Sequence, residues 1–372
     1  MAGGIFMLVA VVASVMIHEA GHYFTARATG MKATEFFFGF GPKIWSTVRG
    51  ETEYGVKAFP LGGYVRIAGM NPLEEIDPAD AGRTYREKKF WQKSVVIMSG
   101  VVLHFIIAYV VILGAIMGFG IDDPDAPLAE IAVVAQTLDD GTTSPAAVAG
   151  IEPGDTIVAV DGLAVGGWED IEKALADRPD AAVTITVERD DQRLSLSTVL
   201  SSTVDPETGA VKGYLGVSPT YDRESVGFFT ATGLAGRAFV NVTGRTFEAL
   251  GNLVKPSSLA QLGGAFFGNT DVPNDIRPVS PIGIVRLGAE SDFELMVSLV
   301  AMINIVLGIF NGLPLYPLDG GHFAVAVYER ITHREADVRK LAPIAAAVMA
   351  LVLFLFSVAL LLDIVNPISL NG

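Results

Sequence analysis

Two histidines four residues apart, His18 and His22, enclose Glu19 in an H-E-x-x-H motif inside an apolar run that begins near Ile5. Helical spacing places both imidazoles on one face, one turn apart, where they can share a metal ion, with Glu19 beside them. Neutral imidazole is a good zinc ligand, and zinc lowers the pKa of a coordinated water towards ~7. A neighbouring carboxylate is then the natural general base and can pass the proton on to a leaving amine. The chemistry predicted is zinc-dependent hydrolysis. The bland readings are a chance run of letters, or a buried polar cluster that holds no metal.

Two histidines supply half of a tetrahedral site. The chain has no cysteine and only five histidines, so the remaining protein ligand must be histidine or carboxylate. An apolar run over 295–313 breaks at Asn311-Gly312-Leu313-Pro314-Leu315-Tyr316-Pro317-Leu318-Asp319-Gly320-Gly321-His322. Two prolines and three glycines open the helix, which membrane depth tolerates only where backbone lines a polar cavity. Asp319 is the one acid in that opening, and a catalytic zinc takes three protein ligands plus water, so Asp319 completes the set. The competing role for Asp319 is that of helix N-cap for the segment that follows. His322 stabilises the turn or orients a ligand and is not read as a zinc ligand.

These residues need a membrane scaffold. Of the 372 residues 51% are hydrophobic and 18% charged, and the mean hydropathy is +0.45, too apolar for a soluble protein of this size. Four spans are predicted, at 5–25, 94–119, 295–313 and 341–364. The first lacks a basic leader and a small-residue cleavage site, and is read as a retained helix. From Arg27 to Lys93 bases outnumber acids, whereas from Ile121 to Glu290 acids prevail, and 330–340 is basic again. The positive-inside rule puts the first and last of these in the cytoplasm and the middle one outside, with the metal residues near the cytoplasmic side. A net charge of −15 argues against nucleic acid as a partner.

Between the first two spans, Phe36 to Pro42, Glu53 to Phe59 and Pro60 to Arg66 alternate apolar and polar residues between Gly and Pro. They are read as short strands and turns forming a hairpin that dips into the bilayer. Its extended edge, including Gly62, Gly63, Tyr64 and Val65, could pair with an extended substrate, or the loop could merely pack on helices. The second span carries His104, which as a lone histidine in a helix reads more simply as a hydrogen-bonded core residue. The stretch 225–290 has apolar residues from Phe228 to Leu253 at helical spacing, expected as amphipathic helices on the outer membrane surface, and 269–281 is read as a linker.

The stretch 121–220 is charged and β-rich, with the signature Ser144-Pro145-Ala146-Ala147-Val148-Ala149-Gly150-Ile151-Glu152-Pro153-Gly154-Asp155 and Asp161-Gly162, then a helix near 168–177 and strands near 183–189 and 193–199. Over 127–219 it resembles a PDZ domain in the circularly permuted bacterial form. PDZ domains bind extended peptide by strand addition, and a size filter above the membrane site is the other role open to it.

The whole chain resembles the bacterial site-2 proteases, the PDZ-containing zinc intramembrane metalloproteases: H-E-x-x-H in the first span, P-L-G-G-Y-V at 60–65, a PDZ-like module, then N-x-x-P-x-x-x-L-D-G-G at 311–321. The resemblance implies a polytopic α-helical membrane protein with a membrane-associated β-hairpin region and an inserted extracytoplasmic α+β PDZ domain. Its expected segments are a first transmembrane helix at 1–26, a hairpin loop at 27–93, a second helix at 94–120, the PDZ domain at 121–220 and an interfacial segment at 221–294. A third transmembrane segment at 295–322, a cytoplasmic loop at 323–340 and a fourth helix at 341–364 follow. It implies Zn2+ as cofactor on His18, His22 and Asp319, and Glu19 as base. Asn311 would hold the substrate backbone or developing oxyanion, and Gly62 to Val65 with Pro314 would present the substrate. Location in the bacterial inner membrane follows, as do single-pass membrane substrates such as anti-sigma factors after a first cleavage, and a peptide at the PDZ domain. Two departures stand out: Gly312 and Tyr316 replace the usual Leu and Pro, and Gly100 to His104 replaces a G-P-x-x-N pattern. Readings of other classes are a non-enzymatic PDZ adaptor with a structural metal, and a tethered protease acting on soluble proteins.

Overall fold

The hydropathy pattern translates into long helices in the computed structural model, which describes residues 2–71, 74–138, 141–204, 211–270, 272–273 and 276–368, with main chain only for Leu61, Pro124, Asp125 and Val338. The chain divides into two units: 1–118 with 227–372, and 119–226.

The first unit opens with helix α1 (Ala2–Ala28) and the strands β1 (Ala33–Arg49) and β2 (Thr52–Ile67), and continues into α2 (Phe90–Phe119). At 1.5 Å per residue, a helix of about 20 residues spans the ~30 Å hydrocarbon core, and both helices exceed that. Where short strands and turns were expected, β1 and β2 are single strands of 17 and 16 residues that curl on themselves. Glu35 to Phe38 is flanked on both sides by β2, by Arg66 to Gly63 and by Glu53 to Val56, while Lys43 to Arg49 pairs with Lys57 to Thr52. The outer surface of this curl exposes Phe40, Ile44, Trp45, Val48 and Phe59. So much bare apolar area suits contact with lipid.

The second unit holds β3 (Ile121–Val134), α3 (Pro145–Ala149), β4 (Thr156–Val160), β5 (Leu163–Ala164), α4 (Trp168–Ala176), β6 (Ala182–Arg189), β7 (Gln192–Val199), β8 (Ser201–Val204), β9 (Val211–Tyr214) and β10 (Val217–Glu224). The main sheet runs β10-β3-β4-β6-β7, with β5 paired to β4 and a separate β8-β9 ladder. The signature residues each have a local task. Ser144 caps α3 by accepting the Ala147 amide at 3.1 Å, and Gly150 closes the helix in the left-handed region. Asp155, 1% exposed, takes Arg189 Nε and Nη2 at 2.7 and 2.8 Å. Asp161-Gly162 turns β4 into β5 with positive φ at both positions, the geometry of a tight two-residue hairpin. The expected helix and strand pair at 168–177, 183–189 and 193–199 match α4, β6 and β7; within the expected 121–220 segment, Asp139, Asp140 and 205–210 lie outside the described residues.

The first unit resumes with α5 (Phe228–Leu253), α6 (Pro256–Gly264), α7 (Pro281–Glu290), α8 (Phe293–Gly312), α9 (Asp319–Thr332) and α10 (Val338–Val365). Helices α1, α2, α8 and α10 are long and apolar enough to cross a membrane. Part of the apolar stripe of α5 is packing surface: Phe239, Val242 and Leu250 lie against buried Ala108 of α2 and Ile305 and Ile309 of α8, while Phe228 and Phe247 stay exposed. The linker expected at 269–281 falls partly outside the described residues, at Asp271, Asn274 and Asp275. Two expected boundaries are corrected. The segment 295–322 is not one span, since α8 ends at Gly312 and Asp319 starts a new helix; and the expected loop 323–340 is helical as far as Thr332. Prolines 314 and 317 lack the amide protons that would continue α8.

At its far end α10 is tied down by a buried ion pair. Asp363 accepts the Ser280 amide at 2.7 Å ahead of α7 and lies 3.5 Å from Arg277 Nη2, with both side chains under 5% exposed.

Candidate metal centre

Helix α1 presents Ser14, His18 and His22 at four-residue steps, all buried. Gly21 lets α2 come close, since a Cβ there would lie 2.6 Å from Leu103 Cδ1. His22 Nδ1 lies 2.7 Å from the carbonyl of Val96. A carbonyl only accepts, so Nδ1 carries the proton and Nε2 keeps its lone pair for the site.

Asp319 reaches the same point from the other end of the chain. It is the first residue of α9, whose cap position is Leu318 with no side-chain cap hydrogen bond, so the N-cap role does not apply. The two glycines after it are required by close approach. A Cβ on Gly320 would overlap the backbone of Gly312 and Leu313, and one on Gly321 would lie 2.6 Å from the Leu315 carbonyl oxygen. The opened turn thus folds back onto the first turn of α9 and brings the carboxylate to the histidines.

The three donor atoms form a small triangle. His18 Nε2 and His22 Nε2 are 3.1 Å apart, and Asp319 Oδ2 lies 3.2 Å from the first and 3.4 Å from the second. Ligands bonded at 2.0–2.1 Å in tetrahedral geometry are spaced by about 3.3 Å. Asp319 Oδ2 is buried without a hydrogen-bond partner, which leaves it as a donor waiting for a cation. The residues fit a tetrahedral divalent ion with one position left open. Among the described residues no other group of three or more histidine and acidic side chains meets this description.

Glu19 lies beside the triangle, and the main-chain amide of Val65 interacts with its carboxylate. Gly63 of the same strand is also adjacent, since a Cβ there would sit 3.1 Å from Glu19 Cγ. The expected substrate-presenting strand is therefore brought to the expected base. Tyr64 turns its side chain elsewhere: its ring stacks on Phe37 at 5.7 Å and its hydroxyl donates to Glu35. Burial, with the Glu35 carboxylate next, pushes that hydroxyl above its ordinary pKa. Gly62 lies against the Phe40 ring. Asn311 is half-buried in the last turn of α8, and its side-chain amide makes no hydrogen bond among the described residues. Pro314 is exposed and lines a cavity of about 450 Å3 with Tyr328 and Ile344. His322 packs on Tyr316, ring centroids 4.8 Å apart, consistent with a place in the turn.

The model for peptidase family M50 matches residues 6–356. The chain belongs to peptidase family M50. Relatives include zinc metalloprotease Rip1 of Mycobacterium tuberculosis, 34% identical over 99% of this chain and 98% of the relative. Zinc metalloprotease Rip1 of Mycolicibacterium smegmatis is 32% identical with the same coverage.

In this M50 chain one face of α2, stepping by four through Val96, Gly100 and His104, touches both histidines, a support that the sequence marks only by the departure at Gly100 to His104. Val96 contributes a carbonyl, which carries no side-chain signal. Gly100 contributes room: a Cβ there would lie 2.5 Å from His18 Nδ1 and 2.7 Å from Nε2. His104 contributes a ring 4.8 Å from that of His18, tilted by 35°. Its spacing from Gly100 was the available signal.

Proposed function

We propose that this multi-pass membrane protein is a zinc-dependent endopeptidase that cuts single-pass membrane proteins inside the bilayer. The observation that carries this is the convergence, at tetrahedral spacing, of His18 and His22 on a helix apolar enough to span a membrane with Asp319 at the start of α9, and with a carboxylate alongside. His18, His22 and Asp319 would hold the ion. When bound, zinc supplies Lewis acidity and makes water acidic enough to lose a proton near neutral pH.

The chain's own residues do the rest. Glu19 takes the proton from the attacking water and returns it to the leaving amide nitrogen. Helical amides are shielded by their own hydrogen bonds, so a substrate must be unwound before it can be cut. The edge at Gly63 to Val65 offers main-chain groups to an extended segment, by strand addition, directly beside Glu19. Asn311, whose amide is uncommitted, would hold the substrate carbonyl or the oxyanion that develops from it. Pro314 would line the substrate's path.

The unit 119–226 would be a PDZ module outside a bacterial inner membrane, and the basic segments at 27–93 and 330–340 support a cytoplasmic-side location for the metal residues. Among the described residues its edge strand β10 pairs only with β3, which supports either peptide addition or a filter against substrates with large outer domains. Substrates would be membrane proteins already trimmed by an earlier cut, anti-sigma factors among them. A structural site in an adaptor would close with four protein ligands, whereas three converge here among the described residues.

The test is cleavage of a tagged single-span protein co-reconstituted with wild type or Glu19→Gln, with zinc measured in both. Loss of a general base costs about 10²- to 10⁴-fold in rate, so the variant should hold zinc and fail to cut. Undiminished cleavage by Glu19→Gln would refute the assignment.

A further inference from the structure

Next to the metal ligands lies a second buried polar group that the proposed reaction does not use. His104 of α2, Asn304 of α8 and Ser14 of α1 are 1%, 0% and 4% exposed. His104 Nδ1 lies 2.9 Å from Asn304 Oδ1, and Asn304 Nδ2 lies 3.0 Å from Ser14 Oγ. Two backbone carbonyls fix the direction of every bond. Ser14 Oγ is 2.9 Å from Ala10 O, and Asn304 Nδ2 is 2.8 Å from Val300 O, and carbonyls only accept. Ser14 therefore donates its hydroxyl proton to Ala10, and Asn304 donates its two amide protons to Val300 and Ser14. Asn304 Oδ1 is left as the acceptor for a proton on His104 Nδ1. The imidazole of His104 is locked in one tautomer and one orientation by two other helices.

His18 is the ligand such an anchor would serve. Ligating imidazoles are ordinarily oriented by a hydrogen bond from the second ring nitrogen. His22 has one, to Val96 O, but His18 Nδ1 is buried with no partner. In its place His18 has two packing surfaces on α2, the bare backbone at Gly100 and the face of the His104 ring.

We propose that His104 is a positioning residue of the metal centre: anchored through Asn304 and Ser14, its ring face sets the plane of the His18 imidazole and so aims Nε2 at the ion. This rests on the reading of His18 as a zinc ligand. The anchor also joins α1, α2 and α8, so the spacing of these helices and the aim of one ligand are set by the same three side chains.

The test uses the full-length protein in detergent, loaded with zinc or with Co2+, as wild type, His104→Ala, His104→Phe and Asn304→Leu. Zinc affinity is read by competition with a chromophoric chelator, ligand geometry by the visible bands of the cobalt form, and fold by thermal melting. His104→Ala and Asn304→Leu should each weaken zinc binding by about 10- to 100-fold, the usual effect of losing an orienting partner, and shift the cobalt bands. His104→Phe, which restores a ring face, should recover part of the loss seen with Ala. Wild-type affinity and unshifted bands in both His104→Ala and Asn304→Leu would overturn the proposal, even if melting falls, because a purely structural role moves only the melting. Should His104→Ala fail to fold, Asn304→Leu decides alone, since it leaves the His104 ring and every metal ligand in place. A wild type that takes up neither metal would instead remove the underlying reading of His18, and this proposal with it.

Discussion

Replacing Gly100 with Ala adds one methyl group where the structure has no room for it. The new Cβ would lie 2.5 Å from His18 Nδ1 and 2.7 Å from Nε2, against an ordinary non-bonded separation of about 3.5–4.0 Å. Relief requires a displacement of about 1 Å, and there are two ways to obtain it. The His18 ring can retreat, but metal–ligand distances hold to within about 0.2 Å, so the ligand is lost. Alternatively α2 can retreat, which stretches the 2.7 Å bond from His22 Nδ1 to Val96 O and releases the other histidine. Either route damages the centre. Overpacking of this kind costs about 1–3 kcal/mol, and if it falls on the metal-bound state it lowers zinc affinity by roughly 5- to 150-fold. The assay is zinc retention against graded chelator, with cleavage of a reporter measured on the same preparations. Gly114→Ala is the control: it lies on the same helix, and a Cβ there meets nothing within 4 Å. It should leave both readouts unchanged. Wild-type zinc affinity and cleavage in Gly100→Ala would refute the argument that clearance beneath His18 maintains the site.

Other perturbations separate the parts of the mechanism. Gly63→Val should lower cleavage by about 10-fold, of the order of 1.4 kcal/mol in the barrier, while zinc content stays at the wild-type level. Its Cβ would come within 3.1 Å of Glu19 Cγ and 3.0 Å of Met16 Sδ but touches no ligand; equal loss of zinc would show that the strand acts on the metal instead. Asp363→Ala leaves the buried Arg277 without its carboxylate, with the Asn366 carbonyl remaining to it, and breaking such a pair costs about 3–5 kcal/mol. A strongly lowered melting temperature in detergent is expected, and an unchanged one would mean that α10 is held by its apolar contacts alone. Asp155→Ala removes the buried carboxylate from Arg189, which keeps Glu152 and the Gly150 carbonyl, and amide exchange should accelerate within residues 119–226 while zinc content is unaffected.

What the sequence disclosed and what it withheld follow from the range of the interactions involved. The H-E-x-x-H pair could be read because i, i+4 geometry is local, and Asp319 because an acid between prolines and glycines in an apolar run has few other uses. The signature of the second unit was legible for the same reason: Ser144, Gly150, Asp161 and Gly162 act through their own turns. The curl of β1 and β2 was not, because Glu35 to Phe38 finds partners on both sides in segments up to about 30 residues away, and periodicity reports only which face a residue occupies. The continuation of helix from Asp319 to Thr332 was hidden by Gly320 and Gly321, poor helix formers that read as part of the turn before it. The support that α2 gives the histidines was hidden more deeply. It consists of a carbonyl, an absent side chain and a ring that looked like ordinary core.

The charges at the centre explain why this arrangement can exist at membrane depth. Glu19 and Asp319 bring two carboxylates into one buried site beside two histidines that must stay neutral to bind metal. Two such anions in a medium of low polarity would be costly and would repel each other. A divalent cation cancels both charges, so the loaded centre is neutral overall, which is the condition under which apolar helices can close around it. An ion held by His18, His22 and Asp319, as proposed, would therefore also remove the penalty of burying the groups around it. On this account the clearance at Gly100 and the close approach at Gly320 and Gly321 are where the needs of the reaction and of helix packing meet.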